Sequence, residues 1–401
     1  MPHAASPMPH APSSTPRPDA LLSWRSEFPI LETCNYLVSH SLGAMPTRAR
    51  RYLERFADEW DRRGVRAWHE GWWEIGHETG NVLAPTLGAA PDTITMHQNA
   101  TVAQSIVASC FSYAGSRRRI VLQDLDFPTN HYLFEGFRRF GAEVVVVPSE
   151  NAIQAPIGRL VDAIDDRTVL VPLSLVLFRS GALQDVRPVI EKAHRVGAYV
   201  VLDAYQGAGT IPMHVADLGV DFVVGGSVKW LCGGPGAGYL YVRPDLISTL
   251  RPSVVGWAGH TAPFGFETGA IRYAETIERF QSGTPNVPAL YSARAGYEIV
   301  AEIGVPAIRE RSLRLTRRLI DAAERRGWRL STPTSDGDRG GSVVLDVPDG
   351  AAVTDELIRR QVIVDYRPGA GIRVAPHFYN TEAEVDAAAA TIEEILNGSA
   401  R

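Results

Sequence analysis

The chain has 401 residues, of which 45% are apolar and 21% charged, and it carries a net charge of −5. That length exceeds one small core and suits two or three packed units. The acidic balance argues against a nucleic-acid partner, and no apolar run nears the roughly 20 residues of a membrane span. Residues 1–20, rich in Pro, Ala and Ser, lack the apolar segment of a signal peptide and read as a disordered tail. The expectation is a cytoplasmic enzyme with no membrane contact. Cys34, Cys110 and Cys232 are too sparse for a disulfide framework, and no Cys or His spacing suggests a metal site. Cys110 and Cys232 stand among apolar or glycine residues and read as buried, inert thiols.

Ordered structure is expected from about Leu21. Residues 36–38 read as a short strand and 41–46 as a turn. Residues 47–79 read as helical and carry Trp60, Trp68, Trp72 and Trp73. A turn around Met96 and His97 leads into a helix that opens at Asn99-Ala100-Thr101 and runs through Cys110. Ser116-Arg-Arg-Arg119 reads as a solvated turn. Strands and helices then alternate. The strands fall at 120–122, 143–147, 169–177, 199–202 and 222–225, and the helices at 130–140, 160–164 and 186–196. Residues 238–242 turn back as a further strand. Short runs of Val, Ile and Leu between helices indicate an α/β fold with a parallel sheet covered on both faces. Beyond Pro288 the pattern becomes a smaller α+β unit. It has one long helix over 294–326, a strand at 342–346, a helix at 354–360, a strand at 371–375 and a last helix at 382–396. The expected units are therefore residues 21–288 and 289–401.

The chemistry concentrates at strand ends, where open α/β sheets bind ligands. The run from Asp221 to Gly238 is an apolar strand closing in small residues, then Lys229, then a glycine-rich segment. A lysine in such surroundings is desolvated, and its neutral amine can attack a carbonyl and later move protons at Cα. One strand earlier, Asp203 ends Tyr199-Val-Val-Leu. An acid and a lysine in this order are what pyridoxal 5'-phosphate needs: a Schiff-base amine and a carboxylate that keeps the pyridine nitrogen protonated. Read alone, Asp203 also fits a helix cap or an ion pair. Gly233 to Gly238 mimics a dinucleotide loop, but a strand follows it rather than a helix. The helix start at Ala100 and Thr101 suits a phosphate, and equally an ordinary cap. Arg373 in a buried strand needs an anion, either a substrate carboxylate or a structural acid.

Several motifs resemble kynureninase and the wider class V aminotransferase group of fold-type I pyridoxal phosphate enzymes. They are Ser41-Leu-Gly43 with Pro46, Asp126-Phe-Pro-Thr129, Phe178-Arg-Ser-Gly181, Gly234-Pro-Gly236, Gly256-Trp-Ala-Gly-His260 with Pro263-Phe264, Gly283-Thr284, and Asp365-Tyr-Arg367 followed by Arg373. The resemblance covers about residues 36–396. It implies a large domain with a mostly parallel seven-stranded sheet between helices, plus a smaller C-terminal α+β domain. It implies that Lys229 carries the cofactor, Asp203 partners the ring nitrogen and Phe127 stacks on the ring. Ala100 and Thr101 would lie near the phosphate, and Ser227 would be among the residues that bind the cofactor. Trp257 and Thr284 would approach the phosphate too, some from a neighbouring subunit, which implies a homodimer. Arg373 would hold the α-carboxylate of a small amino-acid substrate. The chain departs from kynureninases at four places: Val228 stands where they have tyrosine, Gln206 where they have histidine, Asn130 where they have aspartate, and Ser174-Leu-Val-Leu-Phe178 where the family usually has polar residues, including an asparagine. Gln206 is similar to the glutamine with which desulfurases bond the ring hydroxyl.

The reaction expected is cleavage at the β-carbon by a hydrolase or lyase. The alternatives are another class V reaction (C–S lyase, aminotransferase, or a decarboxylating or oxidative step) and a silent binding protein. A persulfide-forming desulfurase is not expected, because no cysteine follows Cys232. Trp68, Trp72 and Trp73 with Phe127 either bound an aromatic pocket or, for the tryptophans, pack as a helix face.

Overall fold

The structure is a computed structural model that describes residues 20–399. The tail expected over residues 1–20 lies outside them except for Ala20, which opens a 3-10 helix. After β1 (Asn35–Tyr36), the strands β2 (Ile94–His97), β3 (Arg119–Gln123), β4 (Glu143–Val147), β5 (Thr168–Ser174), β6 (Tyr199–Asp203), β7 (Phe222–Gly226) and β8 (Gly238–Val242) follow. All but β1 join one seven-stranded sheet in the order β2-β8-β7-β6-β5-β3-β4. The pairs from β4 to β7 are parallel, while β8 runs antiparallel to both β7 and β2. Every residue of β5, β7 and β8 is buried. Their continuous apolar runs, without alternation, reflect cover on both faces.

That cover comes from helices α1 (Thr47–Arg63), α2 (Ile75–Leu87), α3 (Ala100–Ala108), α4 (Pro128–Phe137), α5 (Ile157–Ala163), α6 (Arg187–Arg195), α7 (Val215–Leu218), α8 (Pro244–Ile247) and α9 (Val287–Ile303). Helix α9 packs on α1 and α2, with Leu290, Tyr291 and Tyr297 in the main core. Beyond it lie α10 (Val305–Arg325), β9 (Arg329–Leu330), β10 (Val343–Asp346), α11 (Gly350–Arg359), β11 (Val362–Ile363), β12 (Asp365–Arg367), β13 (Gly371–Val374) and α12 (Glu382–Ser399). These form a four-stranded antiparallel sheet, β12-β13-β10-β9, over a separate core that includes Leu315, Leu319, Leu345, Ile372 and Ile392. Strand β1 pairs in parallel with β11, tying the first ordered segment to the last unit.

Three expectations about elements need correction. Residues 47–79 do not form one helical stretch. Helix α1 stops at Gly64 (φ +53), a 3-10 turn spans Gly64–Trp68, and Gly71 (φ +149) separates it from α2. Glycine reaches such angles without a Cβ penalty. Met96 and His97 belong to β2, the seventh strand of the sheet, rather than to a turn. The stretch 294–326 is two helices, broken at Gly304 (φ +85) with Pro306 beside it, because proline cannot continue a helix past its first turn. Among the described residues no helix is long and apolar enough to cross a membrane.

Candidate active site

The parallel strands β5, β6 and β7 end side by side. Ser174 pairs with Asp203, and Asp203 with Val224. Just past these ends lies a cavity of about 260 Å³. Its walls include Thr101, Phe127, Ser174, Phe178, Asp203, Tyr205, Gln206 and Lys229, with Asn99, Ala100, Gln104, Thr129 and Val176 completing them.

Lys229 stands three positions after the end of β7 and is half-buried. Its Nζ lies 4.4 Å from the centre of the Tyr205 ring and 5.8 Å from that of Phe127. Burial pushes the amine down to about 8; Asp203 opposes this, while Arg373 and Arg367 add to it. Asp203 is itself buried. Burial raises its carboxyl to about 6, against the pull of the Tyr205 N–H, which donates to Oδ1 at 2.9 Å, and of Lys229. The two groups sit in one desolvated pocket, and each gains most from the charged form of the other.

The backbone allows this packing only where side chains are missing. The N–H of Gly43 donates to the carbonyl of Val228 at 2.7 Å, and a Cβ on Gly43 would stand 2.2 Å from the carbonyl oxygen of Lys229. At the start of α3, a Cβ on Gly238 would stand 2.6 Å from the carbonyl carbon of Asn99. Asn99 caps α3: it is extended, and its Oδ1 accepts from the N–H of Val102 at 3.0 Å. The first N–H groups of α3 have no partner within the helix, and Ala100 and Thr101 line the cavity.

Asp126 anchors the turn that carries Phe127. Its carboxylate, fully buried, accepts from the Ser174 N–H (3.1 Å), the Ser174 hydroxyl (2.6 Å) and both Nε2 and N–H of Gln123 (3.1 and 3.3 Å). Gln206 is held at both ends: its Oε1 accepts from Trp230 Nε1 at 3.1 Å and its Nε2 donates to the His40 carbonyl at 3.1 Å. One amide N–H of Gln206 is left over.

This donor set fits pyridoxal 5'-phosphate: an amine for the aldehyde, a buried acid for the ring nitrogen, an aromatic face, an amide N–H, and a helix N-terminus for the phosphate, set close by the missing Cβ of Gly238. Six expected residues, Ala100, Thr101, Phe127, Asp203, Gln206 and Lys229, line this one cavity. Four others do not. Ser227 is buried beneath it, its hydroxyl donating to the Ala237 carbonyl (2.7 Å) and bonded to the Tyr297 hydroxyl (2.6 Å). Trp257 stacks near Trp73 with ring centres 4.9 Å apart. Thr284 lies exposed in a separate small cleft with Trp73, His97 and Gln98. Arg373 is buried and forks onto Asp365, at 2.8 and 2.5 Å. Nor do the tryptophans join the cavity: Trp72 stacks on Phe56, edges Trp68 and donates to Glu59 at 2.9 Å, so packing is their role.

Two wall residues escape sequence reasoning. Tyr205 stands two positions after Asp203, where its proximity to a carboxylate is the available signal. Gln104 lies one helical turn after Thr101, on the same face of α3. Cys232 is buried and Cys110 half-buried, and burial pushes both thiols up to about 12, as inert sulfur should be.

Comparison with known proteins agrees with this geometry. The chain is 32% identical to an uncharacterized aminotransferase, YcbU, of Bacillus subtilis, over 90% of this chain and 94% of that one. It is 30% identical to a kynureninase of Bacillus mycoides, over 92% and 89%. Its fold matches a cysteine desulfurase from Thermococcus onnurineus with a TM-score of 0.83 at 20% identity, covering 94% and 98%. The family model for class-V aminotransferases matches residues 46–387, and the chain belongs to that family of pyridoxal phosphate-dependent enzymes.

Proposed function

We propose that this chain is a kynureninase-like enzyme that cleaves an α-amino acid at its β-carbon. The observation that carries the reading is the aromatic wall beside the lysine: Phe127, Phe178 and Tyr205 share the cavity, with Phe127 and Phe178 edge to face at 5.0 Å. Such a wall suits an aromatic side chain on the substrate.

Bound in the cavity, pyridoxal phosphate supplies a ring that accepts the electron pair left at the substrate Cα. Lys229 anchors the cofactor covalently and then takes the Cα proton. Its lowered pKa leaves neutral amine available near physiological pH. Asp203 holds the proton on the ring nitrogen. The N-terminal N–H groups of α3 and the Thr101 hydroxyl hold the phosphate. Gln206 donates its remaining N–H to the ring hydroxyl. Arg373 binds the α-carboxylate. Residues 21–288 and 289–401 act as a large and a small unit. Trp257 and Thr284, away from the cavity of their own chain, serve the phosphate of a second subunit in a cytoplasmic homodimer.

Gln206, in the place where kynureninases carry histidine, favours a second reading: a C–S lyase on a sulfur amino acid. A panel of kynurenine, 3-hydroxykynurenine, cysteine conjugates, aspartate and glutamate, with products identified by mass, decides between them. Anthranilate and alanine from kynurenine support the first reading. Sulfide or thiol release from cysteine conjugates alone supports the second. Keto acid with pyridoxamine phosphate overturns both.

A further inference from the structure

A clamp on the substrate α-carboxylate must have N–H groups to spare, and in Arg373 three of the five guanidinium N–H groups are already committed. Nε and Nη2 fork onto the two oxygens of Asp365, at 2.8 and 2.5 Å, and Nη1 donates to the carbonyl of Phe178 at 2.7 Å. Phe178 lines the lysine cavity, so the guanidinium is fastened directly to the cavity wall. One N–H remains on each of Nη1 and Nη2. These two are the donors left for a second carboxylate.

What fixes this arrangement is Asp365, and Asp365 has a second tether. Nε2 of His40 lies 2.9 Å from its Oδ1, and Arg367 adds a contact at 3.1 Å. His40 is 1% exposed. Burial outweighs the neighbouring carboxylate, already neutralised by Arg373, and pushes the imidazole down to about 4. His40 is therefore neutral, with its proton on Nε2 donating to Asp365. The backbone of the same histidine accepts from Gln206 Nε2, another cavity residue. The charges of Asp365, Arg367 and Arg373 all reach the Lys229 amine.

We propose, resting on the clamp role of Arg373 in the proposed function, that His40 and Asp365 are positioning residues for substrate selection. Together they hold the Arg373 guanidinium by its Nε and Nη2 edge, leaving the remaining Nη1 and Nη2 N–H groups for the α-carboxylate. A carboxylate that only neutralised a buried arginine would not need a histidine from the first ordered segment of the chain to orient it.

The test uses the pyridoxal phosphate-loaded protein and two probes, L-phenylalanine and 2-phenylethylamine, which differ only in the α-carboxylate. Their dissociation constants are read from the change in cofactor absorbance, in wild type, R373Q, D365N, H40L and H40Q. The expected result is a preference for the amino acid that drops roughly tenfold or more in D365N and H40L, the scale of one charged two-point contact. H40Q, whose amide N–H can replace Nε2–H toward Asp365, restores it. Cofactor absorbance stays at the wild-type level in the His40 variants. If R373Q loses the preference while D365N and H40L keep it, the positioning role is overturned and the carboxylate clamp stands. If R373Q keeps the preference, the clamp reading fails, and the positioning role with it. Should D365N fail to fold, the H40L and H40Q pair decides alone: loss and restoration support the proposal, and equal preference in both overturns it.

Discussion

The amine of Lys229 lies 4.4 Å from the centre of the Tyr205 ring. An aromatic face at that distance favours the ammonium form, whereas burial, the larger effect here, disfavours it. Tyr205→Leu should therefore lower the amine pKa further below about 8, by roughly one unit or more, as expected for a cation–π contact in a desolvated pocket. The chain contains two lysines, Lys192 and Lys229, so amine labelling of the cofactor-free protein across pH, followed by peptide mapping, reads this directly. An unshifted labelling profile would show that the ring does not act on the amine.

Asp203 gives a pH dependence with a definite sign. Its folded-state pKa, about 6, lies above the ordinary 3.8. A raised pKa stabilises the fold below the unfolded value, and that contribution is lost as pH rises through the folded one. In cofactor-free protein, Asp203→Asn should gain stability relative to wild type between pH 4 and about 7, by on the order of 1–3 kcal/mol. Urea unfolding at both pH values checks it; a constant difference contradicts the assignment. With cofactor bound the advantage should vanish, because the protonated ring supplies the missing countercharge.

The approach of β8 to the start of α3 predicts a separable defect. Gly238→Ala places a Cβ 2.6 Å from the Asn99 carbonyl carbon and must push that turn aside, at a stability cost of about 1–3 kcal/mol. Cofactor affinity should fall, with Lys229 untouched. Gly115→Ala, where nothing lies within 4 Å, should change neither. Equilibrium dialysis with pyridoxal phosphate and urea unfolding are the measurements, and wild-type affinity in Gly238→Ala would remove the phosphate from this turn.

Asn99 tests the same turn from its other side. Asn99→Ala removes the cap on Val102 and should cost about 1 kcal/mol. Asn99→Ser retains a capping oxygen and should recover most of it. Equal losses in the two variants would mean that the side chain is not acting as a cap.

The parts of this protein legible in its sequence are those written in short continuous runs. Lys229 and Asp203 each follow or end a buried strand, so local pattern locates both. Strand β2 escapes such a reading because Ile94-Thr-Met-His97 is only four residues long and becomes a strand through pairing with the distant β8. The break at Gly304 is readable in principle, since Pro306 lies just beyond it, but the helical pattern on either side masks it. The links from Gly43 to Val228 and from His40 to Asp365 join segments far apart in the chain. Nothing in local periodicity encodes such contacts; packing of the first ordered segment onto the loop after β7 and onto the last unit creates them. The tryptophans illustrate the opposite failure: conspicuous residues whose ring contacts with Phe56 and Phe264 serve packing rather than the cavity.

In the proposed function one amine, on Lys229, holds the cofactor. The direct measurement is to load the protein with pyridoxal phosphate, reduce it with borohydride, digest it and locate the pyridoxyl group by mass. A single modified peptide bearing the group on Lys229 is expected, and none in Lys229→Ala. Modification at Lys192, or no modification in protein that stays colourless after loading, would contradict it.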